Sequence, residues 1–517
     1  MVEELVLTEM QFIGLLLIAV LVSTAVKYIR LPYTIALVLL GTLTGFIGFH
    51  PIPLSEELIL FIFLPALLFE GAINIDFDKL RENLDLILLL AVIGLTLGIL
   101  LVGYSLHYLT GIPLIYTLLF GAMIMPTDPV SVLALFKKLG VSRELSVLVE
   151  GESLFNDGTG IVLFGVILSL VESQSQQLSI LQTILDFFFV VLGGLVIGLV
   201  TGYAVYSILR HLDDHLIEVV LTGILAYGTF LICESVHVSG VIGVVAAGLL
   251  IGNRGTLFAM SPTTRIAIQD SWELTAFIVN SLIFLLIGIQ IPMQEIYSHL
   301  QLIIYSIAVV LLARALTVYP LTLLLNLRKK TGTSYSWMHV INLGGIHGSI
   351  PIALLLSLPA INHLEELSFM VFGTVLFSLV VQGLTIEPLV KKLNLVEKHP
   401  GIEEYTKLIT KKISAQQALN ELASMRKNKE IPSTVYKKLK NEYSTSLEEL
   451  AEEVGELIKK YPTLEFSQRD YSRKRMLLAQ KSSIQESVRK GIIGSEAASH
   501  LLKEIDAELE EKTLTRV

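Results

Sequence analysis

The chain has 517 residues, 53% hydrophobic and only 16% charged, with a formal net charge of −9. A soluble domain carries about 25% charged residues. The mean hydropathy of +0.69 therefore excludes a soluble globular protein, and the single cysteine, Cys233, excludes an intrachain disulfide.

The apolar residues come in long runs, which points to helices rather than a transmembrane barrel. Met1 to Met10 is acidic and lacks the basic start of a secretory signal, so the first apolar run reads as a retained span. Thirteen candidate spans follow in chain order: 11–29, 32–49, 56–75, 84–107, 113–135, 151–171, 180–209, 215–234, 237–253, 273–292, 301–326, 336–358 and 366–390. Near residue 391 the composition turns Lys/Glu-rich and spanning-length runs cease. The expected organisation is a membrane domain over 1–390 and a helical cytoplasmic tail over 391–517.

Charge in the joints orients the spans. With the N-terminus outside, the inner joints hold Lys27, Arg30, Lys79, Arg81, Lys137, Lys138, Arg143, Arg210, Arg254, Arg265, Arg328, Lys329 and Lys330. The outer joints, around His50, Leu109, Ser173, Val236, Gln294 and Asn362, hold no Lys or Arg. Cytoplasmic loops are enriched in Lys and Arg, and one missed span would invert every later joint. The reading is thirteen spans, N-terminus out and tail in the cytoplasm. Spans 1–6 then start outside and spans 8–13 inside, which is the arithmetic of inverted six-helix repeats around span 7.

Ionisable residues at membrane depth are costly and mark function. Glu70 falls in span 3, Asp128 in span 5, Glu152 and Asp157 in span 6 and Arg314 in span 11. Asp186 and Glu234 lie near span ends and read as interfacial. In span 5, Pro126 and Pro129 flank Thr127 and Asp128. Proline removes a backbone donor and clashes with the preceding turn, so a broken helix is expected there. Such a break lines a cavity or lies within protein, and its freed carbonyls and helix ends suit a cation. A shielded proline kink is the plainer alternative. Span 12 carries a counterpart, Gly344-Gly345-Ile346-His347-Gly348-Ser349-Ile350-Pro351. Paired interruptions point to a transporter binding site, while glycines that serve only close packing are the alternative.

In span 6, Ser153 and Asp157 share one helix face, and Glu152 and Asn156 the adjacent one. Their oxygens are hard ligands suited to a hard cation such as Na⁺. No His/Cys set at metal spacing occurs. Arg314 is the only basic residue deep in a span, so it should pair with Glu152 as scaffold.

These segments also resemble a known family. TDPV in span 5, GESLFNDG in span 6, FLPALLFE in span 3 and the arginine of LLARAL in span 11 look like cation:proton antiporters of the NhaP type, prokaryotic relatives of the animal sodium/proton exchangers. The resemblance covers roughly residues 10–390. It implies Asp157 as the central ion and proton carrier, with Asp128, Thr127, Ser153 and Glu70 around the cation and Asn156 in support. It implies a Glu152–Arg314 stabilising pair, and a homodimer in which spans 4–6 and 11–13 move as a core against spans 1–3 and 7–10. The Asn-Asp pair marks the branch that is usually electroneutral. One departure stands out: many relatives carry arginine where this chain has His347. A histidine titrates near neutral pH, so His347 reads either as a modulator of pH sensitivity or as a neutral packing residue.

The expected function is Na⁺/H⁺ antiport across a prokaryotic plasma membrane, with one proton exchanged per Na⁺ by alternating access. The two ions compete at Asp157, because one carboxylate holds a proton or a cation. K⁺/H⁺ antiport would use nearly the same residues, and Li⁺ is a further candidate. A cation channel is a more distant reading, since a carboxylate at a broken helix suits binding better than conduction. No enzyme activity and no cofactor are expected, because Ser153 sits in no nucleophile elbow. The tail shows apolar residues at helical spacing, Leu447, Leu450, Val454 and Leu457, punctuated by Pro432 and Pro462. It reads as amphipathic helices of a regulatory or dimer-stabilising module, or as a solvated tail, without nucleotide or nucleic-acid motifs.

Overall fold

The structure, a computed structural model, describes residues 2–29, 32–46, 55, 57–173, 180–212, 214–256, 259–291, 296–329, 332–396 and 402–461, with scattered positions beyond. Arg30, His50, Gln294, Lys330 and Pro462, named above, lie outside the described residues. The chain divides into two units, Met1–Val396 and Glu397–Val517.

Every regular element among the described residues of the first unit is a helix, and one isolated bridge joins Val141 and Val396. Its helices are α1 Val2–Ile29, α2 Tyr33–Phe46, α3 Leu58–Asn74, α4 Phe77–Glu82, α5 Leu84–Thr110, α6 Leu114–Ile124, α7 Val130–Leu139 and α8 Arg143–Ser173. They continue with α9 Ile180–Leu209, α10 His215–Ser235, α11 Gly240–Gly255, α12 Pro262–Gln290, α13 Leu300–Lys329, α14 Tyr335–Gly344, α15 Ile350–Leu356 and α16 Leu364–Lys392. Seven of them (α5, α8, α9, α10, α12, α13 and α16) are long and apolar enough to cross a membrane, and five others carry shorter apolar stretches. Exposed Leu, Ile, Val and Phe side chains line α9 and α10. Such surface is stable only in lipid or under another apolar surface, so the chain is an integral membrane protein.

Both predicted interruptions are present. The helix ends at Ile124 and resumes at Val130, and again ends at Gly344 and resumes at Ile350. Three helices begin earlier than hydropathy suggests, α1 among them, at Val2 rather than near 11. α8 starts at Arg143 rather than near 151, and α12 starts at Pro262 rather than near 273. For α12 the local chemistry explains the start. Ser261 accepts a hydrogen bond from the Thr264 N–H, and Pro262 sits at the first helical position, where its missing donor is not needed. Those turns are polar, so hydropathy alone passes over them.

Glycine lets α2 and α12 touch through their backbones. A Cβ on Gly41 would overlap the Leu285 carbonyl and stand 3.0 Å from the Gly288 Cα. A Cβ on Gly288 would overlap the Val38 carbonyl and stand 2.8 Å from the Thr42 nitrogen. Small residues at such a contact supply the packing that lipid exclusion cannot. Gly288→Ala is expected to destabilise the fold by ~1–3 kcal/mol through overpacking. The check is a lower melting temperature in detergent, and an unchanged melt would show that the two helices separate without penalty.

The second unit contains α17 Ile402–Lys427 and α18 Ser433–Lys460. Leu408 of α17 packs with Val454 and Leu457 of α18, and Tyr405, Ile409, Leu450, Ile458 and Tyr461 close around them. Pro432 stands at the cap position of α18.

Candidate functional site

The two breaks meet. The Asp128 N–H donates to the Ile346 carbonyl at 2.6 Å, so the unwound backbone of one break caps the other. The site is built around this crossing. Asp128 turns back on its own strand of chain, its Oδ1 accepting the Val130 N–H at 3.0 Å at the start of α7. Its other oxygen faces Gly348, where a Cβ would overlap the carboxylate. Glycine at 348 thus makes the room that Asp128 occupies.

Helix α8 runs past this point and supplies the partners of the first break. Asn156 Nδ2 donates to Thr127 Oγ1 at 2.9 Å, and its Oδ1 accepts the Thr127 N–H at 3.3 Å. The Ser153 hydroxyl donates to the Thr127 carbonyl. Asn156 also lies 3.5 Å from Glu152 Oε1. Thr127, Ser153, Asn156 and Asp157 are all buried. Orphan polar groups at a helix break require partners when buried, and Thr127 receives all of its partners from one turn of α8.

Glu152 pairs with Arg314 of α13 in a two-pronged geometry, Nη1 to Oε1 and Nη2 to Oε2, each at 2.8 Å. Such paired bonds fix orientation as well as charge. The same Nη2 reaches the Ile341 carbonyl at 3.2 Å, near the end of α14. The guanidinium lies flat under the second break, and a Cβ on Gly345 would stand 2.7 Å from Arg314 Nε. Arg314 therefore ties α8, α13 and the α14 end together.

Asp157 differs from its neighbours. It is 8% exposed, and its Oδ1 is buried with no hydrogen-bond partner among the described residues. The negative charges that bear on it are those of Asp128 and Glu152. A buried, unpartnered carboxylate oxygen is rare in folded proteins because desolvation without compensation is costly. Here it stands where two helices are interrupted and a third offers hydroxyl and amide groups. That arrangement can hold a small hard cation or a proton.

The structure does not join every predicted residue to this network. Glu70, on α3, accepts a hydrogen bond from Asn74 Nδ2 at 2.8 Å, and the charges around it are those of Glu150, Glu273 and Lys137. The Tyr33 hydroxyl lies within electrostatic reach of both Asp128 and Glu70. His347 is buried in the second break; its N–H donates to Ser378 Oγ at 2.9 Å and its Nδ1 has no partner among the described residues. A π-helical turn over Ser378–Gln382 presents that serine. Asp186 and Glu234 are exposed. Glu150 escapes the hydropathy pattern because the apolar run begins one residue later; the helix start at Arg143 places it two turns inside α8.

Comparison with known proteins identifies the fold and its lineage. The model of the family described as sodium/hydrogen exchanger, transmembrane, matches residues 15–392. The chain belongs to this family. Among curated relatives, the Na⁺/H⁺ antiporter ApNhaP of Aphanothece halophytica is 38% identical over 488 residues, covering 93% of this chain and 92% of that one. The Na⁺/H⁺ antiporter NhaG of Bacillus atrophaeus is 37% identical over 501 residues, covering 93% of each. Among solved structures, the sodium proton antiporter MjNhaP1 from Methanocaldococcus jannaschii shares the fold with a TM-score of 0.64 at 23% identity. That match covers 76% of this chain and 100% of the other. The sodium/hydrogen exchanger assignment makes the chain a transporter, and it extends over every residue of the crossing described above.

Proposed function

We propose that this protein exchanges Na⁺ for H⁺ and that Asp157 is the group for which the two ions compete. The observation that carries the reading is the buried oxygen of Asp157, without a hydrogen-bond partner among the described residues, beside two crossed, broken helices. Two relatives matched along nearly the whole chain are named Na⁺/H⁺ antiporters, which supports Na⁺ as the cargo. Asp128, Thr127 and Ser153 stand around the cation, and Asn156 holds Thr127 in place. Glu70, half-buried and outside this hydrogen-bonded set, serves the cation on its way in or out. Glu152 and Arg314 neutralise each other and act as scaffold.

Asn156 cannot titrate, so Asp157 is the only member of its pair to change charge. One proton then leaves for each Na⁺ that binds, and an empty charged site need not cross the membrane. The core comprises spans 4–6 and 11–13, and alternating access is its rocking against the remaining spans. The protein works as a homodimer in a prokaryotic plasma membrane, with the tail in the cytoplasm.

Proteoliposomes holding an interior pH dye test the reading directly. Added Na⁺ is expected to dissipate an imposed proton gradient, with Li⁺ and K⁺ run alongside. A response to K⁺ alone would change the cargo and leave the site standing; no response to any cation would sink the exchanger reading. Flux that follows an imposed membrane voltage would rule out the one-to-one exchange. Gly348→Ala, which crowds Asp128, is expected to weaken Na⁺ dependence more than tenfold, since misplacing a ligand by about an ångström costs on the order of a hundredfold. An unaltered half-saturating Na⁺ concentration would remove Asp128 from the cation shell.

A further inference from the structure

Exchange by alternating access requires a seam that opens beside the carboxylates, and the inference that follows rests on the exchanger reading. Contacts within the first unit tie its helices into two sets. Thr127, Ser153, Asn156, Arg314 and Ile346 bind α6, α7, α8, α13 and the α14–α15 break to one another. Gly41 and Gly288 lock α2 to α12, and a Cβ on Gly248 of α11 would stand 2.7 Å from the Ala72 Cβ on α3.

Near the site, among the described residues, the two sets meet through one buried side-chain hydrogen bond. Thr34 Oγ1 of α2 and Ser131 Oγ of α7 are 2.6 Å apart, and both residues are buried. Ser131 is the second residue of α7, three residues beyond Asp128. Its partner is anchored in the opposite set: the neighbouring Tyr33 ring stacks on Phe277 of α12 at 6.1 Å. Two turns further along α7, Lys137 meets Glu273 of α12 at 3.9 Å on the exposed surface. Beyond Asp157 the seam is apolar instead, and a Cβ on Gly158 would stand 2.7 Å from Ile242 of α11.

We propose that the Thr34–Ser131 hydrogen bond is the gate on one face of the ion site, closed in this structure and opened when the two sets separate. Two hydroxyls suit that task. In the dry seam one hydroxyl donates to the other; apart, each is satisfied by water, so opening leaves no orphaned group. A buried ion pair or interlocked backbone would not release so readily. Once parted, the hydroxyl oxygens are hard ligands along the path to Asp128.

Cys233 is the sole cysteine, so Cys233→Ser gives a clean full-length background for Thr34→Cys/Ser131→Cys. Oxidation is expected to join the pair and stop Na⁺-driven proton flux, and reduction to restore it. The rate of cross-linking should also change on adding Na⁺, and that dependence should vanish when Asp157→Asn is added. Should the reduced pair itself be inactive, the Na⁺ dependence of cross-linking decides. Exchange that persists in fully cross-linked protein, a cross-linking rate indifferent to Na⁺, or failure of the pair to join would each overturn the gate. Lack of any exchange in the Cys233→Ser parent would instead overturn the exchanger reading on which the gate rests.

Discussion

Asp157→Asn, reconstituted beside wild type, is expected to show no Na⁺-driven proton flux while melting at the same temperature or above. The two halves of this result have separate causes. Asparagine keeps the size and planarity of the side chain but can neither take up a proton nor carry the charge that draws Na⁺ from water. Loss of flux follows if Asp157 is the carrier. Stability follows a different rule. Removing one partner of a satisfied buried pair leaves an orphan and destabilises the fold, whereas Asp157 Oδ1 has no partner to orphan among the described residues. A neutral amide in its place also lifts the repulsion from Asp128 and Glu152. Flux and melting temperature should thus separate. A variant that loses both together would mean that Asp157 is structural, and a fully active variant would move the exchange to another carboxylate. Asn156→Ala makes a useful contrast. It strips Thr127 of two hydrogen bonds, so it should lower the melting temperature as well as the flux.

Much of this site was legible in the sequence because its residues break rules that membrane sequences otherwise keep. Two prolines three residues apart cannot sit in an unbroken helix, and Thr127 and Asp128 lie between them; the break appears where they stand. A lone deep arginine needs a carboxylate, and Arg314 finds Glu152. What stayed hidden depends on contacts between distant segments that carry no local signal. Nothing around Thr34 announces that it meets Ser131, 97 residues away. The crossing bond from Asp128 to Ile346 joins backbone atoms, which any side chain permits. In the sequence Gly345 and Gly348 read as part of a helix interruption or as packing glycines; the structure shows that they make room for the Arg314 guanidinium and the Asp128 carboxylate. Hydropathy also hid the polar first turns of α8 and α12, and with them Glu150.

The Glu152–Arg314 pair yields the largest expected effect on stability. Each side chain is almost wholly buried, and the pair is held by two bonds of 2.8 Å. Arg314→Met leaves the buried Glu152 carboxylate, among the described residues, with only the 3.5 Å contact from Asn156, and Glu152→Met strands the guanidinium. Breaking a buried pair in this way costs ~3–5 kcal/mol, whereas replacing both partners by apolar residues of similar volume is often neutral. Either single variant should therefore melt far below wild type in detergent, and Glu152→Met/Arg314→Met should recover most of the loss. The recovery should stop short of complete, because Arg314 also holds the Ile341 carbonyl at 3.2 Å and lies against Gly345. Without that anchor the Asp128–Ile346 backbone bond remains as a polar tie between the second break and the crossing. Na⁺-driven flux then separates two roles for the pair. If it is scaffold, flux should return in the double variant in step with the melting temperature. A double variant that is stable yet inactive would mean that the pair takes part in the exchange itself, its charges balancing Asp157 as ions come and go.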